Sequence, residues 1–146
     1  NLGFNYRMSD IHAAIGLNQM SRLDKYVSRR HEIAECYDTE LKNLSLVTPW
    51  QAPNVYSSYH LYPVLVKNNF NNKSQRQIYD ELIKNNIEVN LHYIPVHRHP
   101  YYENLGFKKN DFPVAEKFHQ EAISIPMFAM LKNEDQKYVI ETLKKR

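Results

Sequence analysis

The feature that most limits what this chain can become is a run of apolar residues at helical spacing beginning close to its first residue. Ile11, Ala14, Ile15, Leu23, Tyr26, Val27, Ala34, Tyr37, Leu41 and Leu44 fall mostly three or four apart, the period of one face of an α-helix. Met8 and Ser9 ahead of them read as a helix start, because a serine hydroxyl can accept a backbone N–H left free in the first turn. The spacing predicts one long helix, straight or bent, from residue 9 to about 43. At ~1.5 Å per residue it would run about 50 Å, which outruns the core of a small domain.

Beyond it the elements are short. Pro49 and Pro53 make 46–53 an extended connection, since each removes a backbone donor and disfavours helix at the residue before it. Ser58 to Val66 is aromatic and β-branched and reads as a strand, with Pro63 pointing to an edge or a bulge. The asparagines at 68–69 and 71–72 mark a loop. Ser74 to Lys84 has helical spacing, and Ile87 to Leu91 alternates like a half-buried strand. A loop rich in His, Pro and Tyr runs from His92 to Asp111. Phe112-Pro113 opens a helix to about Ala122, Ile123 to Pro126 is extended, and Asn133 to Lys144 is a final helix with basic residues at its negative dipole end. Helices set against a small sheet make the fold class α+β.

Composition excludes several functions. The three glycines, Gly3, Gly16 and Gly106, stand apart, so neither the dinucleotide-binding fingerprint nor the phosphate-cradling P-loop can be written within these residues. Cys36 is the one cysteine, which excludes an intrachain disulfide and any zinc site needing two thiolates, and favours a reducing compartment. It falls among core-facing positions and reads as a small buried hydrophobe. No apolar run reaches the length of a membrane span, so no membrane partner is expected and the chain reads as soluble. The net charge of +3 is spread along the sequence, and the basic residues of the long helix alternate with acidic ones; nothing there indicates nucleic acid.

The densest set of reactive groups is L-H-Y-I-P-V-H-R-H-P-Y-Y, residues 91–102. His92, His97 and His99 have imidazoles able to bind zinc, but their spacing matches no metal motif, no acidic residue lies among them, and Pro95 and Pro100 put them on irregular backbone; no metal site is expected. The residue types suit two other readings, a ligand loop with aromatic faces and hydrogen-bond donors, or a rigid proline-rich crossover with packed rings. Asn5-Tyr6-Arg7 precedes the long helix, whose positive end attracts anions. Its plainer reading is a capped turn with Arg7 paired to a surface carboxylate.

These residues also form a recognisable pattern. L-G-F-N-Y-R-M-S-D-I-H-A-A-I-G-L-N-Q-M-S-R-L-D at 2–24 resembles a segment of the DegT/DnrJ/EryC1/StrS family of pyridoxal-phosphate sugar aminotransferases. S-S-Y-H-L-Y-P-V at 57–64, N-I-E-V-N-L-H-Y-I-P-V-H at 86–97, P-Y-Y at 100–102 and A-I-S-I-P-M at 122–127 follow in the family's order. The resemblance implies the C-terminal portion of a fold-type I aminotransferase: residues 1–45 as a phosphate-site segment and long interdomain helix, then 46–146 as the small C-terminal α+β domain, with a small, mainly antiparallel sheet and helices on one face. The large domain, with the lysine that carries the cofactor, would precede Asn1. The opening at Asn1, without an initiator Met, fits that expectation, and no catalytic residue is expected in these 146 residues.

Residue by residue, the resemblance implies that Asn5 reaches across a homodimer interface to the cofactor phosphate of the neighbouring subunit and that Arg7 supports that site or the substrate phosphates. His92 and Tyr93 match the pair facing the sugar nucleotide, with His97 and Tyr101 nearby. The loop most resembles the transaminases of pseudaminic acid biosynthesis, which aminate C4 of a UDP-4-keto-6-deoxy sugar with glutamate; perosamine-type and aminoarabinose-type enzymes share much of it. A cytoplasmic enzyme is implied. A dehydratase of the same family, or a non-catalytic sugar-nucleotide-binding or dimerisation module, is the alternative.

Overall fold

The computed structural model of the chain describes residues 6–67, 70 and 72–145. Ser9 caps α1 (Asp10–Met20): its backbone is extended and its Oγ accepts the His12 N–H. The expected single helix is divided, however. Ser21 Oγ donates to the Asn18 carbonyl at 2.8 Å, and the Arg22 N–H reaches back three residues to Gln19 O at 3.0 Å, which tightens the chain into a turn. The helix resumes as α2 (Leu23–Leu41). The two halves differ in burial: no residue of α1 is buried, whereas α2 buries Ile33, Ala34, Tyr37 and Leu41. Ile11, Ala14 and Ile15 therefore continue the apolar spacing without entering this core.

Three short strands, β1 (Leu46–Val47), β2 (Tyr62–Val66) and β3 (Ala122–Ile125), form an antiparallel sheet in that order among the described residues. Pro63 lies in the middle strand, yet β1 pairs only with Leu65 and Val66. At Pro63, β2 is thus flanked by β3 alone, and the missing N–H is tolerated there as on an edge. α3 (Gln75–Lys84) starts with a capping box: Ser74 Oγ accepts the Gln77 N–H and the Gln77 side chain accepts the Ser74 N–H. Of the asparagine-rich stretch, Asn68, Asn69 and Asn71 lie outside the described residues, and Asn72 takes the left-handed conformation at φ 54°.

Residues 87–91 do not form a full strand. Ile87 and Val89 turn inward and Glu88 and Asn90 outward, as the alternation requires, but only Asn90 pairs, with Ser124 of β3. Pro95 soon diverts the backbone. The expected loop from His92 to Asp111 contains a 3-10 turn at Val96–Arg98 and α4 (Pro100–Asn104). α5 (Pro113–Glu121) runs directly into β3, and α6 (Asn133–Lys144) closes the chain. Each of α4 and α5 has proline at its first position, where its fixed φ suits the helix and its absent N–H costs nothing.

The core gathers α2, β2, β3, α3 and α6 around Ile33, Tyr37, Tyr62, Val64, Leu82 and Ile123, each at most 1% exposed. The Gln136 amide donates to Ile33 O at 2.8 Å and locks α6 to α2. Cys36 is only half-buried beside this core, and burial raises its thiol pKa, so it remains a thiol rather than a thiolate. No described helix is long and apolar enough to cross a membrane.

Candidate functional site

The loop after the Asn90–Ser124 bridge carries the first site residues. His92 Nδ1 and Ser124 Oγ share a hydrogen bond of 2.9 Å, which ties the half-buried imidazole to the buried strand β3. Tyr93 follows through a cis peptide bond, with its ring set against that of His92 at 4.5 Å and 61°. Tyr93 is 72% exposed, and Ile94 and Val96 are also largely exposed. His99 Nε2 donates to Ile94 O at 3.2 Å and draws this loop onto itself.

His97 has the opposite character. It is 7% exposed and donates from Nε2 to Glu116 Oε1 at 2.8 Å, while the backbone N–H of Asn110 donates to the same oxygen at 2.6 Å. Asn110 is in the left-handed conformation at φ 74°, which asparagine tolerates better than most residues. The His97 hydrogen bond, supported by Asn110 and the nearby charge of Arg98, holds the Glu116 carboxyl below the usual carboxylate range. The three histidines weighed as metal ligands thus have three separate partners: Ser124, Glu116 and the Ile94 carbonyl.

Between this loop and the start of α5 lies a cleft of about 980 Å³. Tyr93, Pro95 and Val96 of the loop line it together with Tyr102, Phe107, Phe112 and Phe118. Its walls are mostly carbon, with His92, His97 and Asp111 as polar groups. A second cavity of about 470 Å³ is lined among others by Asn90, Ser124, Asp135 and Tyr138; His92 borders both. Aromatic walls with a few polar groups suit a flat, partly apolar ligand that also carries oxygens to be hydrogen-bonded.

The structure brings together His92, Tyr93 and His97. Tyr101 is not among the cleft-lining residues: it is 69% exposed on α4, edge-on to Tyr102 at 5.2 Å, and it is Tyr102 that lines the cleft. Arg7 is exposed just ahead of α1, and Asn5 lies outside the described residues. Sequence reasoning missed Ser124, Tyr102, Phe112 and Glu116. A serine between two isoleucines in A-I-S-I is a visible signal for the first; the others become partners only through the fold.

Comparison with known proteins gives a uniform answer. The model of the DegT/DnrJ/EryC1/StrS aminotransferase family matches residues 1–144. The chain is 34% identical to a UDP-4-amino-4,6-dideoxy-N-acetyl-beta-L-altrosamine transaminase of Campylobacter jejuni, over 97% of this chain and 38% of that protein. It is 31% identical to a GDP-perosamine synthase of Escherichia coli O157:H7, over 97% of this chain and 37% of that protein. Its fold superposes on the putative sugar aminotransferase Spr1654 of Streptococcus pneumoniae in the PLP form with a TM-score of 0.85 and 32% identity, over 94% of this chain and 35% of that one. The chain therefore spans little more than a third of the length of these relatives. With its motifs, its α+β fold and nearly its whole length in agreement, the chain belongs to the DegT/DnrJ/EryC1/StrS aminotransferase family.

Proposed function

We propose that this chain is the C-terminal portion of a pyridoxal-phosphate-dependent nucleotide-sugar aminotransferase that moves an amino group from glutamate to C4 of a UDP-4-keto-6-deoxy sugar. The observation that carries this reading is the aromatic cleft of about 980 Å³ bordered by His92 and Tyr93, in a chain whose relatives include an altrosamine transaminase. Residues 1–45 serve as the phosphate-site segment and interdomain helix, and 46–146 as the small domain. The enzyme works as a cytoplasmic homodimer in cell-surface or flagellar glycan biosynthesis.

The residues at the chain's start fit the phosphate end of the cofactor. The exposed guanidinium of Arg7 offers a planar fork of donors, and it stands beside the positive end of α1. Asn5, which lies outside the described residues, would add an amide donor for the phosphate of the neighbouring subunit. Pyridoxal phosphate, when bound, supplies the electron sink and amino-group carrier for the exchange between amino acid and keto sugar. The ring-binding residues and the cofactor lysine belong to the longer protein.

The small domain's task is to bind and orient the sugar nucleotide. Tyr93 offers an exposed ring face to a flat base or sugar, and the apolar walls exclude water from it. The Ser124 bond at Nδ1 sets the His92 ring and leaves Nε2 to meet a hydroxyl or phosphate oxygen. His97 and Tyr101 lie on the same loop and its following helix. A transaminase named for a UDP sugar and a synthase named for a GDP sugar are both relatives of this chain.

The test is to incubate the full-length protein with pyridoxal phosphate, glutamate and a UDP-4-keto-6-deoxy-N-acetylhexosamine. Formation of 2-oxoglutarate with an equal amount of 4-amino sugar is expected. A deoxygenated sugar without amine would assign it to the dehydratases, and binding without turnover would make it a non-catalytic module.

A further inference from the structure

The walls of the cleft come from three separate stretches of chain, and one carboxylate joins them. Glu116 lies in the first turn of α5, where its own N–H bonds to Phe112 O at 3.1 Å. Its Oε1 accepts the His97 Nε2–H and the Asn110 backbone N–H. His97 sits in the 3-10 turn after Pro95, and Asn110 in the connection between α4 and α5. Glu116 is 8% exposed, a position that disfavours an ionised group unless hydrogen bonds satisfy it.

The aromatic wall is built around this junction. The Phe112 ring lies 4.8 Å from that of His97 and 6.1 Å from that of Phe107, which in turn contacts Tyr102 at 6.4 Å. His97 directly follows Val96, and both line the cleft. With Nε2 committed to Glu116, His97 serves this junction before it can serve a ligand.

We propose that Glu116 is a positioning residue for the cleft: through His97 and the Asn110 N–H it sets the distance between the Tyr93–Val96 edge and the Phe107–Phe112 wall, and so the affinity for the flat group that enters. This inference rests on the sugar-nucleotide reading of the cleft. A glutamine retains an oxygen that can accept both donors, whereas an alanine offers none, so the two substitutions separate positioning from charge.

In the full-length protein, Glu116→Ala is expected to speed amide exchange at Asn110 by about tenfold or more while leaving Val64 and Ile123 in the sheet unchanged, the signature of a local opening. It should raise KM for the sugar nucleotide by about tenfold with kcat within about twofold, and Glu116→Gln should restore both measurements to within about threefold of the parent. Should Glu116→Ala not fold, His97→Phe, which keeps a ring against Phe112 but removes the donor, is expected to raise KM in the same way. Unchanged exchange at Asn110, an unchanged KM, or an equal fall of kcat in the alanine and glutamine variants would overturn the proposal. A parent protein that aminates no nucleotide sugar would sink the proposed function instead, and Asn110 exchange would still decide whether Glu116 holds the wall.

Discussion

The Glu116 carboxyl is held below its ordinary value, chiefly by the His97 hydrogen bond, with Asn110 and the charge of Arg98 adding to it. A carboxyl whose pKa is lower in the folded than in the unfolded chain adds stability above its unfolded pKa, and that increment is lost as pH falls through the folded value. The window therefore lies below the reference value of 4.5. Glu116→Gln is expected to flatten this acid limb of the stability curve, read as melting temperature against pH; an acid limb as steep as the parent's would assign the loss to other groups. His92 and Tyr93, which line the cleft, were legible in the sequence as candidates because they are neighbours in a dense motif. Glu116 was not, since its partner His97 is 19 residues away and the contact exists only when α5 folds back against the loop.

Short-range signals gave whole elements correctly where the chemistry is local. Ser74 and Gln77 satisfy each other's neighbouring N–H groups, so the start of α3 follows from four consecutive residues. Ser74→Ala should lower stability by about 0.5–2 kcal/mol, measured by urea unfolding, because it leaves the Gln77 N–H without its acceptor. An undiminished midpoint would mean that packing alone sets the helix start. The division between α1 and α2 was not legible, because Ser21 and Arg22 are ordinary helix residues and the turn arises from which carbonyls they choose. Residues 87–91 had the right alternation, but a strand also needs a neighbour along its length, and β3 supplies only one bridge.

At the scale of the molecule, apolar residues are buried unevenly along the chain. The core gathers the sheet and helices behind α2, while α1 carries Ile11, Ile15, Leu17 and Met20 with more than half of each side chain exposed. The amphipathic spacing announced a helix correctly, yet it could not say that the apolar face of the first half lies outside this core. The chain spans little more than a third of the length of its relatives. In the proposed aminotransferase, residues 46–146 would supply the aromatic cleft and Arg7 the phosphate-facing cation. The most direct measurement is calorimetric titration of the full-length protein with a UDP-N-acetylhexosamine, comparing the parent with Tyr93→Ala. Binding that weakens by about fivefold or more, as loss of a stacking ring of ~1–3 kcal/mol requires, is the predicted result; equal affinity in the two proteins would contradict placement of the sugar nucleotide in this cleft.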